Sequence, residues 1–322
     1  MAAIGNDIEI AKDWLDQGQL VAIPTETVYG LAGNALDPDA VAKIFSVKDR
    51  PSFDPLILHT NSLGKVGDFT LGIPEPLGKL AERFWPGPLT LLLPKKTIVP
   101  DLVTSGLDTV AVRIPQHPLT LSLLESLDFP LAAPSANPFG YISPTTAAHV
   151  EAQLGDKIPY ILDGGPSQVG LESTIVGLEG GAVTVYRLGG LELSAIEAMV
   201  GPVKLMEHSS SNPKSPGMLK SHYAPKTSFI LGDLEKLLPI YRSRGIPFGI
   251  LSFSKNFPDV AASLQRMLSA SGDMNEAAKN LFAHMRALDS VDVSVILAEP
   301  LPDEGLGKAI NDRLKRAAAG ED

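Results

Sequence analysis

Short apolar, β-rich runs alternate with helical spacing along the first two-thirds of the chain. Residues 20–24 read LVAIP and residues 55–60 read PLILHT, with a helix between them after Asp37 and Pro38. Asp37 suits an N-cap, Pro38 the first turn, and Val41, Ile44 and Phe45 share one helical face. Further strands are predicted at 89–93, 109–114, 130–134, 160–165, 173–177 and 182–187. Eight strands interleaved with helices make one sizeable α/β sheet.

Between 200 and 227 the pattern lapses into a Ser-, Pro- and Gly-rich stretch, the one segment polar and long enough for an interdomain linker. The predicted organisation is a first domain at 1–203, a linker at 204–226 and a second domain at 227–322. Beyond the linker come strands at 229–233, 247–253 and 293–300, and helices at 234–244, 259–270, 275–288 and the C-terminus. Three strands with intervening helices predict a smaller Rossmann-like α/β domain. Its only G-x-G, Gly305-Leu306-Gly307, follows the last strand and lacks a third glycine, so neither NAD nor flavin is expected.

Composition narrows the chemistry. With 44% hydrophobic and 20% charged residues among 322, the chain has enough apolar matter for packed cores. No cysteine is present, which excludes disulfides, thiol catalysis, iron–sulfur clusters and cysteine-based zinc sites. The six histidines stand at 59, 117, 149, 208, 222 and 284, with no pair at metal-site spacing, so zinc is not expected. A hard, oxygen-bound ion such as Mg²⁺ stays open. No apolar run approaches the ~20 residues of a membrane span. Residues 1–16 show no basic start followed by an apolar block, so a cytoplasmic location is expected. Residues 1–205 carry 13 Lys and Arg against 23 Asp and Glu, while 206–322 carry 14 of each. That balance disfavours direct nucleic-acid binding, whose affinity comes from neutralising many phosphates.

Four polar clusters sit at predicted strand ends, where α/β proteins place ligands. Pro24-Thr25-Glu26-Thr27 is either a side-chain-capped turn or a set of hydroxyls offered to a small polar ligand. In Lys48-Asp49-Arg50-Pro51 the proline favours an extended chain, in which Lys48 and Arg50 would point together as a two-cation clamp for phosphate or carboxylate. A solvated basic helix end is the competing reading. Arg113 is alone on the strand 109–114 and needs a partner, either an internal acid such as Asp163 or a ligand carboxylate. Ala133, Ser135 and Asn137 would share one side of an extended chain, unless they are plain turn chemistry. No P-loop and no G-x-S-x-G is present.

Taken in order, PTETVYGLA, KDRP, WPGPLTLLL, GLDTVAVRIP, APSAN, DGG and LESTIV resemble the YrdC/TsaC threonylcarbamoyl-AMP synthases over about residues 8–203. SPGMLKSHYAP at 215–225 and the C-terminal α/β domain are similar to the longer, two-domain type. The resemblance implies a YrdC-like twisted mixed sheet with flanking helices. It also implies a nucleotidyltransferase that joins L-threonine, bicarbonate and ATP, with Mg²⁺, into threonylcarbamoyl-AMP and pyrophosphate. The product would pass to a tRNA threonylcarbamoyl transferase. The family's K-x-R and S-x-N groups fall on Lys48, Arg50, Ser135 and Asn137. Threonine contacts carry over to Thr27, His59, Arg113, Ala133 and Ser173. Nucleotide contacts carry over to Lys48, Arg50, Asp54, Thr109, Ser135, Asn137, Ser143 and Arg187, with His222 or Tyr223 from a linker that could close over the site. Ser143-Pro144 also reads as a helix N-cap. The chain departs from the family variant PGMKYRHYAP by placing Ser221, not arginine, before His222. A related carbamoyltransferase for hydrogenase maturation would need cysteine zinc fingers, which are lacking here. A non-enzymatic RNA-binding or ribosome-maturation protein is the alternative class, and it would call for a basic surface.

Overall fold

The computed structural model describes residues 1–206, 215–216 and 222–319. Eleven strands form the large sheet: β1 (Ala3–Gly5), β2 (Val21–Ile23), β3 (Gly30–Asn34), β4 (Ile57–His59), β5 (Leu89–Pro94), β6 (Thr109–Arg113), β7 (Leu131–Ala132), β8 (Tyr160–Leu162), β9 (Thr174–Glu179), β10 (Ala182–Arg187) and β11 (Lys204–Leu205). Their order is β1-β8-β2-β3-β7-β4-β6-β5-β9-β10-β11, with parallel and antiparallel neighbours mixed. The expected twisted mixed sheet is therefore present. Three strands went unread in the sequence: β1, β3 and the two-residue edge strand β11, which lies inside the segment assigned to the linker. Most of that segment, including Ser221, lies outside the described residues.

The helix after Asp37 spans Pro38–Lys48 and buries Val41, Ile44 and Phe45, with the Asp37 carboxylate accepting from the Asp39 amide. Its last residue, Lys48, delivers a charge to the interior. The extended run expected at 48–50 does not form. Lys48 ends the helix and Asp49 takes a left-handed conformation (φ 53°), so the strand-like alternation of side chains does not apply.

The smaller sheet holds β12 (Ser228–Leu231), β13 (Phe248–Ser252), β14 (Gln265–Met267) and β15 (Val295–Ala298), all parallel in the order β12-β15-β13-β14. The helix expected at 259–270 is absent. A single 3₁₀ turn (Ala262–Leu264) leads into β14, because the Gln265 side chain bonds the backbone of Phe257 and Val260 and draws the chain into a loop. No helix among the described residues is long and apolar enough to cross a membrane.

The two sheets share a packed boundary. Val28, Ile142, Leu171 and Tyr223 join one apolar cluster with Leu281, Phe282, Met285 and Leu314 of the second domain. At Gly170 (φ 76°) a Cβ would lie 2.5 Å from both the Ala278 carbonyl and the Lys279 Cα, so only glycine admits the helix Met274–Asp289 this closely.

Candidate active site

A small, partly open cavity lies at the ends of β2, β4, β6 and β10. Thr27, Arg50, His59, Arg113, Ala133, Ser135, Ser173, Arg187, His222 and Tyr223 all line it. Its floor is the turn after β2. The Thr25 hydroxyl donates to the Val28 carbonyl and accepts from the Thr27 and Val28 amides, which locks the turn. Thr27 is thereby presented to Arg113 at the end of β6, whose Nη1 donates to Thr27 Oγ1 at 2.8 Å. Arg113 Nε donates to the Gly87 carbonyl at 3.2 Å, and Nη2 lies 2.6 Å from Glu26. The internal partner of Arg113 is thus Glu26. Asp163, the acid expected from the sequence, is engaged by the Tyr29 hydroxyl and the Gly165 amide.

His59 stands beside Arg113 in register across β4 and β6. Burial first, and then the neighbouring guanidinium, push its imidazole down to about 3. It is a neutral ring in a cationic pocket.

Lys48 and Arg50 divide their work differently from a clamp. Lys48 Nζ donates to the backbone carbonyls of Ser135 and Asn137, pinning that loop from behind, and does not line the cavity. Burial, then Arg50, lower its ammonium well below the usual lysine range. Arg50 does face the cavity, held by Asp54 at 2.9 Å and by the carbonyls of Asp54 and Pro55. Ser135 lines the cavity, whereas the Asn137 amide turns inward to the carbonyls of Pro138 and Tyr141 at 2.8 Å each. Phe139 lies under the Arg50 guanidinium and edge-on to His222.

On the opposite wall, Arg187 Nε and Nη2 donate to the Ser173 carbonyl, and Nη2 also reaches Ser173 Oγ at 3.1 Å. The Ser173 hydroxyl shares a 2.7 Å hydrogen bond with Thr90. Two residues expected in contact with a nucleotide are set apart. Thr109 begins the strand that Arg113 ends, about 13 Å along it at strand rise. Ser143 is buried behind the wall, donating to Glu172 at 2.6 Å. Nor does Ser143 cap a helix: the cap is Thr146, whose hydroxyl accepts from the His149 amide, and Pro144 falls outside the helix Ala147–Leu154.

Several groups escaped the sequence reading. Glu26 and Glu172 line or brace the cavity, and Arg313 and Arg316 stack against the Tyr223 ring from the second domain. A signal for Arg313 was available: it lies three residues after Ile310 and four before Ala317, on the buried face of the last helix. Burial, then Arg316, Arg50, Lys48 and Arg187, keep His222 neutral and well below its ordinary range. Three buried guanidiniums, Arg50, Arg113 and Arg187, line this one space, an arrangement suited to an anionic ligand.

The comparisons with known proteins bear on which anion. The Sua5_yciO_yrdC family, described as "Telomere recombination", matches residues 13–189, and the "Threonylcarbamoyl-AMP synthase, C-terminal domain" family matches 191–319. The threonylcarbamoyl-AMP synthase of Pyrococcus abyssi is 42% identical over 97% of this chain and 94% of that one. The chain belongs to the threonylcarbamoyl-AMP synthase family. The Bacillus subtilis family member is 39% identical over 98% of this chain and 94% of its own. The crystal structure of P. abyssi Sua5 complexed with L-threonine matches with a TM-score of 0.93 at 40% identity, covering 99% of this chain and 98% of that chain. Escherichia coli YciO, at 20% identity and a TM-score of 0.52, shares the fold of the larger domain.

Proposed function

We propose that this cavity is where the chain, as an L-threonylcarbamoyladenylate synthase, joins L-threonine, bicarbonate and ATP. The observation that carries the assignment is Arg113: a buried guanidinium whose fork faces a cavity also lined by hydroxyls and a neutral histidine. Arg113 would take the threonine α-carboxylate. Thr27, His59, the Ala133 backbone and Ser173 would surround the amine and hydroxyl. Arg50, Ser135 and Arg187 would hold the nucleotide, with Asp54 fixing Arg50, Ser143 bracing Glu172 from behind the wall, Thr109 farther along the sheet, and Lys48 and Asn137 fixing the Ser135 loop. A relative solved with L-threonine and this near-complete overlap support the reading.

The chemistry needs no protein nucleophile. The threonine amine combines with bicarbonate, losing water, to give a carbamate. A carbamate oxygen then bonds to the α-phosphorus of ATP while the bond to the β-phosphate oxygen breaks, releasing pyrophosphate. The side chains act by positioning and by matching the developing negative charge. Glu26, Asp54 and Glu172 are each committed to a guanidinium, and no cluster of three acidic or histidine side chains is present among the described residues. The residues therefore suit Mg²⁺ arriving on the triphosphate rather than in a protein cage, where it would neutralise the leaving pyrophosphate.

As it stands the cavity encloses about 50 Å³, room for a few waters and not for both substrates. Pro216, His222 and Tyr223 form part of its lining, with Tyr223 in the left-handed region (φ 65°). The segment 204–226 would thus open for entry and close to keep water from a labile product. Catalysis would reside in 1–203, with 227–322 bracing one wall. The reaction would run in the cytoplasm and its product pass to a tRNA threonylcarbamoyl transferase. Titration of the full chain with L-threonine tests the assignment: micromolar-to-millimolar binding is expected, lost in Arg113→Ala, and undiminished binding in that variant would contradict it.

A further inference from the structure

Two arginines of the second domain reach the cavity wall from behind. Arg313, buried in the helix Gly307–Ala317, directs Nε and Nη2 to one oxygen of Glu172 at 3.3 and 3.1 Å. The other oxygen of Glu172 accepts the Ser143 hydroxyl at 2.6 Å. Arg286 donates to the carbonyls of Ile142 and Ser143, the latter at 3.2 Å. Ser143 is thus fixed at its carbonyl directly and at its hydroxyl through Glu172.

Glu172 itself lines the cavity. A carboxylate facing a triphosphate would repel it unless the charge is balanced. Burial alone would raise the Glu172 carboxyl, but Arg313, then Arg187 and the Ser143 hydrogen bond, more than offset burial and hold it below its ordinary value. Arg313 is also raised: burial acts against its charge, and Tyr223, Glu172 and Asp312 outweigh burial. Both partners are charged, and the pair bridges the two domains across 141 residues of chain.

We infer that Arg313 is a positioning residue for nucleotide binding: it balances and holds Glu172, which lines the cavity, so the second domain tunes the affinity of the site for ATP. Only the identity of the ligand rests on the synthase reading. Removing Arg313 leaves a buried carboxylate facing the phosphates. Removing the carboxylate's charge as well should undo most of the damage, which loss of packing alone would not do.

The test uses the full chain and Arg313→Met, Glu172→Gln and the double variant, each titrated calorimetrically with a non-hydrolysable ATP analogue and with L-threonine. Arg313→Met is expected to weaken the nucleotide about tenfold or more while threonine affinity moves by less than about threefold. The nucleotide loss should shrink as the pH is lowered from about 8 to about 6, where an unpaired buried carboxyl takes up a proton. The double variant should recover most of the affinity. Unchanged nucleotide affinity in Arg313→Met, equal loss of both ligands, or a double variant no tighter than the single would overturn the inference. The expected pattern in a chain that releases no threonine-dependent pyrophosphate would sink the synthase reading and leave Arg313's role standing.

Discussion

Arg113 and Glu26 meet at 2.6 Å inside the protein, one from the end of β6 and the other from the turn after β2. Glu26 also accepts the Gln116 amide at 3.0 Å, so it ties the turn to the strand exit. Arg113 is held on three sides and can present its fork without further ordering. Arg113→Lys keeps the charge but not the fork, and should weaken L-threonine at least about tenfold. Arg113→Ala should in addition cost about 3 kcal/mol of stability by stranding Glu26. Titration and denaturant melts check the two effects, and a lysine variant with native threonine affinity would contradict the first.

His59 makes stability depend on pH with a definite sign. Its folded value of about 3 lies below the ordinary 6.5, through burial and then Arg113. Between those values the unfolded chain binds a proton that the folded chain does not, so stability is full above about 6.5 and falls as the pH drops toward 3. At about pH 5 His59 alone should cost roughly 2 kcal/mol. His149, lowered to about 4 by burial and then Arg286, adds to the same slope. Urea midpoints from pH 7 to 5 should fall less steeply in His59→Gln; an equal slope would remove His59 as the cause.

Lys48 should act through the Ser135–Asn137 loop rather than by touching substrate, because its ammonium is spent on two backbone carbonyls there. Lys48→Met should destabilise the fold by about 1–3 kcal/mol and reduce turnover, because the Asn137 carbonyl loses its donor and the Ser135 carbonyl keeps only the Asn137 amide. Melting and activity should fall together. A variant that is inactive yet as stable as the unaltered chain would place Lys48 in direct contact with the reaction instead.

The parts of the fold that were readable are those where local chemistry and tertiary packing agree. Asp37, Pro38, Val41 and Ile44 specify their helix by capping and spacing, and the helix forms as read. The strand β14 was hidden because Val260, Leu264 and Leu268 repeat at helical spacing, while its pairing to β13 is a non-local choice. At the site, Arg113 and Ser135 could be picked out as polar groups at strand ends, and Arg187 only through the family resemblance. The pairing of Glu172 with Arg313 could not, since 141 residues separate them, although the helical spacing of Arg313 already puts it on a buried face. Asp49 shows the same limit: one left-handed residue turned an expected extended clamp into a helix end, with Lys48 and Arg50 given different neighbours.

Gly170 should tolerate no side chain. Alanine there would combine a left-handed backbone with a Cβ 2.5 Å from the Ala278 carbonyl. Gly170→Ala should lose about 2 kcal/mol or more and loosen the boundary between the two sheets. Hydrogen exchange should rise in Met274–Asp289 first; uniform protection across that helix would speak against the contact as the cause.

Pyrophosphate release from ATP by the purified full chain, with Mg²⁺ and bicarbonate and with or without L-threonine, tests the central claim most directly. Release should require both threonine and bicarbonate, and Arg113→Ala should abolish the threonine dependence. Release at the same rate without threonine, or unaltered in that variant, would contradict the assignment of the Arg113 cavity to the amino acid.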